Sequence, residues 1–394
     1  MHQDPVVIVS IARTPIGNLL GELKDFQAPE LGAHVIKASI ERAHLKPSDI
    51  HEVIMGCVLP AGLGQAPARQ AALLAGLPNN IPCTTINKVC GSGMKAVMFA
   101  HDMLLTGSAD IMLAGGMESM TNAPYLLLKG RQGYRLGQSE LYDHMVLDGL
   151  EDAYDKGKPM GYFAEQCVQK YRFSRKQQDE YAMSSFERAQ YATREKFFDF
   201  EIAPIAHHTK QGEQILTKDE HPFSVNPEKI PSLSPIFVKD GTVTAGNSSS
   251  IADGAAALLL MRLSEAEKRG LQPLARIVGM SANAKTPSEF TTAPIEAIRK
   301  LMNQLKWKMD DVDLFEVNEA FAVVTLATMH DLKIPREKMN IYGGGCALGH
   351  PIGATGARII VTLIAALRQN TLKRGIASLC IGGGEATAIA LEMI

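Results

Sequence analysis

The sequence predicts an α/β protein made of two related halves, with a long segment inserted within the first. Three observations carry this reading. Short β-branched runs alternate with longer helical patterns up to about Met120 and again after Leu274, which is the grammar of strand and helix in turn. Between those stretches the alternation lapses and Pro, Gly, Tyr, Lys and Asp become frequent. The two alternating stretches also echo each other. Asp49-Ile-His-Glu-Val-Ile-Met-Gly56 matches Asp311-Val-Asp-Leu-Phe-Glu-Val-Asn318, Gly91 meets Gly353 at the same offset, and the run 109–118 resembles 376–385 down to its Gly-Gly-x-Glu end.

Taken in order, a strand is expected over 6–10, a helix over 30–44, a strand over 53–58 and an Ala-rich helix over 68–75. A strand over 84–89 then leads through Gly91 and Gly93 into a helix ending near Thr106, followed by a strand over 111–114. These continuous apolar runs predict parallel strands buried on both faces. Within the insertion, Ser174-Arg-Lys-Gln177 has the form of a capping box and opens a helix expected to reach about Phe197. Two similar halves would face each other with equivalent loops meeting at one site.

A chain of 394 residues exceeds the usual single core, so two or three packed units are expected. Its net charge of −2, without Lys/Arg clusters interleaved with aromatics, gives no footprint for nucleic acid. The six cysteines form no CxxC pair and have no histidine at zinc-finger spacing, so neither a disulfide framework nor a metal site is expected. No apolar run approaches the roughly 20 residues that span a bilayer. The N-terminal stretch lacks the pattern of an export signal. The expected setting is the cytoplasm, with reduced thiols and no membrane contact.

Three segments carry chemistry. Cys90, in Asn87-Lys-Val-Cys90-Gly-Ser-Gly-Met94, sits between an apolar strand and a helix start, where free amides and the helix dipole stabilise a thiolate. The alternative is a buried structural cysteine, the commoner fate of a free thiol. His350 lies in Gly343-Gly-Gly-Cys-Ala-Leu-Gly-His350-Pro-Ile-Gly, a loop that lacks the Lys-Ser/Thr of a nucleotide-binding loop. A histidine enclosed by glycines and proline is not needed for packing and reads as a base or oxyanion donor. Cys380 precedes Gly382-Gly-Gly-Glu385, whose amides can form a hole for a developing oxyanion, although a lone Cys in an apolar strand is more often core. Asn318-Glu-Ala-Phe321, where a strand gives way to a helix, reads on its own as a helix cap.

Together, Cys90 with its glycines, Asn318-Glu-Ala-Phe321, Gly-His350-Pro and Cys380-x-Gly-Gly-Gly, in this order along the chain, resemble the thiolase family. The stretch 241–256 adds a match to the segment that lies along the pantetheine arm in that family. The resemblance implies a five-layer α/β/α/β/α core of two duplicated halves with an inserted loop domain. Its units would be 1–119 with 252–271, a loop domain of 120–251, and 272–394. It implies Cys90 as nucleophile, His350 as its base and Cys380 as the general base toward a second acetyl-coenzyme A. His350 with a water held by Asn318 would take one oxyanion, and the amides of Cys90 and Gly382 the other. Ser249, Met160, Leu150, Ala245 and Phe321 would border the pantetheine and acyl groups. No cofactor is implied, coenzyme A being a co-substrate alongside acetyl- and acetoacetyl-coenzyme A. A homotetramer assembled through the loop domain is the implied assembly.

Some positions depart from the family pattern. Tyr342 stands where Asn is usual, Cys346 where a small apolar residue is usual, and Glu385 where Met or Gly is usual. Glu385 is expected to raise the pKa of Cys380. Glu220-His-Pro-Phe223 lacks a basic residue that some relatives place there. The stretch 148–154 with Met160-Gly161 resembles the acetoacetyl-coenzyme A type, and Phe290 either shortens the acyl pocket or is simple core packing. A degradative thiolase of broader chain length shares the same catalytic set, and an inactive lipid-binding relative would share only the fold. The decarboxylating condensing enzymes of this fold pair Cys with His-His or His-Asn, which Cys380 opposes.

Overall fold

The strand runs are apolar on both sides. β1 (Val6–Arg13) is buried at every position, and α1 (Ala28–Arg42) lies over it. The Gln27 amide donates to Glu30 Oε2 at 2.7 Å, which occupies a donor otherwise orphaned at the start of α1. β2 (Glu52–Gly56), α2 (Pro67–Leu74), β3 (Cys83–Ile86), α3 (Ser92–Leu105) and β4 (Ile111–Ser119) follow. The insertion contributes α4 (Met160–Tyr171) and α5 (Arg175–Arg194). Ser174 caps α5 as its capping box predicts, the Gln177 amide donating to Ser174 Oγ and the Ser174 amide to Gln177 Oε1. β5 (Ala252–Arg262) then returns to the first half, and β6 (Ala275–Ala284), α6 (Ala293–Leu305), β7 (Leu314–Val317), α7 (Ala322–Leu332), α8 (Thr355–Gln369), β8 (Arg374–Ile381) and β9 (Glu385–Met393) complete the chain. The computed structural model describes residues 4–209 and 212–394.

The main strands run in the order β7-β8-β9-β6-β1-β5-β4-β2-β3, with the short strand Gly17–Asn18 alongside β5. The order mirrors about the seam between β6 and β1, where Val7 pairs with Arg276 and Ile8 with Ala275. Outward from that seam each half repeats two antiparallel pairings and then a parallel one. The strands are therefore mixed in direction rather than all parallel as their apolar runs predict. A continuous apolar run reports burial on two faces, which an antiparallel strand between helix layers also meets.

Three clusters of buried side chains fill the gaps between five layers. α1 and α2 cover the outer face of the first half, α6 and α7 that of the second, and α3 and α8 pack against each other between them. Two glycines let the central helices touch backbone to backbone. A Cβ on Gly356 would fall 2.4 Å from Met94 N, and one on Gly93 2.8 Å from Ala357 N. The first turns of α3 and α8 thus abut, and with them the loops that carry Cys90 and His350. α4 and α5 of the insertion lie against α7.

Candidate active site

Cys90 ends a turn locked by its own side chains. The Val89 amide donates to Asn87 Oδ1 at 2.8 Å, the Lys88 amide to Ser92 Oγ at 2.8 Å, and the Ser92 hydroxyl to Val89 O at 2.7 Å. Val89 holds φ 47°, a left-handed conformation that costs a β-branched residue energy and marks the turn as constrained. A Cβ on Gly91 would fall 2.4 Å from the end of the Ile381 side chain, so glycine after the thiol lets Ile381 of the second half pack close to the turn. The amides of Cys90 itself and of Gly382 point at the Cys90 sulfur. Burial outweighs both and pushes its pKa up to about 11. The helix start therefore does not leave Cys90 ionised at rest, contrary to the expectation from its location, because desolvation of a thiolate is the larger effect.

His350 is held from both sides. Its amide donates to Ser250 O at 2.9 Å, and its Nδ1 lies 2.7 Å from Thr355 Oγ1. The single proton of the Thr355 hydroxyl is directed to Pro351 O at 2.9 Å, so Oγ1 accepts from His350 Nδ1–H. Nε2 then carries the lone pair. Burial, and next the Arg358 charge, hold the imidazole neutral by lowering its pKa to about 3. Asn318 Nδ2 stands 3.5 Å from Nε2.

Cys380, at the end of β8, is buried, and burial followed by the neighbouring Cys90 raises its thiol well above the ordinary value. Glu385 does not supply that effect: its carboxylate is paired with Lys88 Nζ, across the seam between the halves. The Asn318-Glu319 pair is not a helix cap either, since Phe321 is the N-cap of α7 and makes no side-chain cap bond. Glu319 instead accepts from Tyr181 Oη (2.8 Å) and Ser185 Oγ (2.7 Å) of α5, Asn340 Nδ2 (2.8 Å) and the Cys346 amide (3.1 Å), tying the insertion to the loop before His350. Tyr342 packs between Phe197 and Phe198, with its hydroxyl accepting from Asn370.

One cavity of about 680 Å³ joins these groups. Cys90, His350, Cys380 and Gly382 line it, and so do Ser249, Met160, Leu150, Ala245, Phe290 and Phe321; Asn318 stands just behind His350. Phe290 is 3% exposed and sits edge-on to Phe321, so it both borders the cavity and belongs to the core beneath it. Sequence reasoning missed the outer wall formed by Asn18, His221 and Ser224. His221 Nδ1 lies 2.9 Å from Asn18 Oδ1, and Asn18 Nδ2 donates to Ser224 Oγ at 2.9 Å. Burial keeps His221 neutral by lowering its pKa to about 4, and none of the lining residues is Lys or Arg. Among the described residues no cluster of His, Cys, Asp and Glu is placed to hold a metal ion, and no helix is long and apolar enough to cross a membrane.

Two mirrored α/β halves that bring a pair of thiols, an imidazole and a set of glycine amides to one cavity define an acyltransferase. Residues 6–264 match the model of the thiolase N-terminal domain and residues 271–393 that of the C-terminal domain. The chain belongs to the thiolase family. It is 46% identical, over the full length of both chains, to an acetyl-CoA acetyltransferase of Schizosaccharomyces pombe. It superimposes with TM-score 0.96 on the crystal structure of the Bacillus anthracis acetyl-CoA acetyltransferase, at 42% identity and covering 99% of each chain. A thiolase from Ascaris suum in complex with coenzyme A matches with TM-score 0.93 at 40% identity, over 99% of this chain and 100% of that one.

Proposed function

We propose that this enzyme joins two molecules of acetyl-coenzyme A into acetoacetyl-coenzyme A and coenzyme A, and catalyses the reverse cleavage. The observation that carries the reading is the convergence of Cys90, His350 and Cys380 in one cavity of a chain that resembles acetyl-CoA acetyltransferases from end to end. His350 Nε2 takes the Cys90 proton as the sulfur attacks the first thioester, and the amides of Cys90 and Gly382 receive the carbonyl oxyanion. Coenzyme A leaves with the proton of Cys380. The Cys380 thiolate then removes a methyl proton from the second acetyl-coenzyme A, whose enolate oxygen faces protonated His350 and a water held by Asn318. Attack of that carbanion on acetyl-Cys90 expels the Cys90 thiolate, which recovers its proton from His350. Every group ends as it began.

Ser249, Met160, Leu150, Ala245 and Phe321, which line the cavity, would border the entering thioester arm, and Phe290, which lines it edge-on to Phe321, would shorten the acyl end; this supports short acyl chains over a degradative enzyme of broader range. The reaction needs no resident cofactor, since Cys90 carries the acyl group and the protons pass only between His350, the two thiols, coenzyme A and the substrate methyl group. The loop domain 120–251 separates the first-half units 1–119 and 252–271 and, with the second half 272–394, frames the cavity. We place the enzyme in the cytoplasm, a setting supported by six free thiols, and as a homotetramer assembled through the loop domain.

Thiolysis of acetoacetyl-coenzyme A, and then of longer 3-ketoacyl homologues, tests the proposal in wild type and Cys90→Ala. Rapid cleavage of the four-carbon substrate, absent in Cys90→Ala, is expected. Equal rates on long chains would move the enzyme to the degradative type, and no cleavage by wild type would leave only the fold.

A further inference from the structure

Glu118 is a fully buried carboxylate near the end of β4, in a strand otherwise apolar or glycine but for Ser119. Its Oε2 accepts from the amides of Val58 (3.0 Å) and Gly353 (2.8 Å), its Oε1 accepts from Leu59 (3.1 Å), and the Cys57 sulfur lies 3.6 Å from Oε1. Residues 57–59 leave β2 in the first half, whereas Gly353 closes the His350-Pro-Ile-Gly turn of the second. A Cβ on Gly353 would fall 2.6 Å from Glu118 Oε2, so the turn approaches as near as only glycine permits. Val58, Leu59 and Ile352, on either side of this bridge, belong to the small apolar cluster against which Cys90 packs. The repeat-equivalent residue, Glu385, also reaches across the seam, but its pair with Lys88 is partly exposed and such pairs contribute little.

We propose that Glu118 is a positioning residue for acyl transfer, whose carboxylate holds the His350 turn and the floor beneath Cys90 in register across the two halves. The inference rests on the reaction proposed above. Three charge-assisted hydrogen bonds from backbone amides fix geometry more firmly than neutral ones would. The titratable side chains that feel this carboxylate among the described residues are Cys57 and Cys90, both of which it disfavours as thiolates, after the larger effect of burial. Glu118 itself is raised by burial to about 7, against the three amides that favour its charge.

These two effects separate in experiment. Glu118→Gln removes the charge and replaces one acceptor oxygen with an N–H that faces a backbone amide donor, and Glu118→Asp keeps the charge while shortening the reach. For each, kcat and KM of acetoacetyl-coenzyme A thiolysis are measured together with the rate at which iodoacetamide alkylates Cys90 at pH 8, read by mass spectrometry of the Cys90 peptide. In Glu118→Gln, kcat falls roughly tenfold with KM nearly constant, because the reacting groups lose alignment. Its Cys90 is meanwhile alkylated about threefold faster, because a neighbouring negative charge has gone. Glu118→Asp loses kcat but alkylates at the wild-type rate. A structural role alone would loosen the site and speed alkylation in both variants, because burial is the larger brake on the Cys90 thiolate, so faster alkylation in Glu118→Asp would count for it. Slower alkylation in Glu118→Gln, a rise in KM alone, or wild-type kcat in Glu118→Asp would each overturn the proposal. If Glu118→Gln does not fold, Glu118→Asp decides. Wild type without thiolysis would defeat the reaction itself, a result distinct from active wild type with indifferent variants.

Discussion

His350 serves as a base only while its proton stays on Nδ1, and a single hydroxyl enforces that. Thr355→Val keeps the shape of the side chain and removes the acceptor, so the tautomers equilibrate and the buried Nδ1 loses its partner. We expect kcat to fall roughly tenfold or more, part of the 10²–10⁴ that a positioned base contributes, with KM little changed. Steady-state kinetics on acetoacetyl-coenzyme A check this, and an unchanged kcat would mean that the tautomer is fixed elsewhere. Taken singly, Cys90 and Cys380 read equally well as packing thiols; only their joint pattern with His350 and Asn318-Glu-Ala-Phe321, through its family resemblance, singled out the set that the fold brings to one cavity. The roles of Thr355, Glu118 and Glu319 were not legible in the sequence. Glu118 bonds to groups 59 and 235 residues away, and no local pattern encodes such partners. The one available signal was a carboxylate inside an apolar strand, which is costly unless it is bonded.

At the level of elements, the first turns of α3 and α8 are the critical contact. Alanine in place of a helical glycine gains up to about 1 kcal/mol from propensity alone. At Gly356 a Cβ would meet the backbone of Met94, which cannot yield without moving α3, and overpacking of this kind costs about 1–3 kcal/mol. Gly356→Ala should therefore lower the midpoint of thermal unfolding, and a raised midpoint would show that the helices separate freely. The helix in the insertion was legible from its capping box because both partners lie within one turn. Strand direction was not legible, since two-sided burial looks the same in either orientation. Nor was the loss of a strand in the second half, where an isolated bridge between Phe315 and Met339 stands in the place β3 fills in the first.

For the whole molecule, the duplication was visible in sequence because both halves must build the same strand order and present matching loops at the seam. Assembly is implied only by the family resemblance. The insertion carries several exposed apolar side chains close together in sequence, among them Tyr125, Leu128, Leu136, fully exposed, and Leu141, 64% exposed, and apolar surface of this kind is what a subunit contact would cover. Sedimentation at micromolar concentration should find a tetramer, and Leu136→Asp with Leu141→Asp should shift it to a smaller species; a monomer in wild type would refute the proposed assembly. The position of β5 has a separate consequence for biosynthesis. This strand lies between β1 and β4 yet follows the whole insertion in the chain. While a ribosome is still making residues 120–251, the emerging first half holds strands on both sides of a gap that no synthesised segment can fill. Its sheet closes only after Arg262 has left the exit tunnel, so the insertion has to emerge beside an unfinished neighbour.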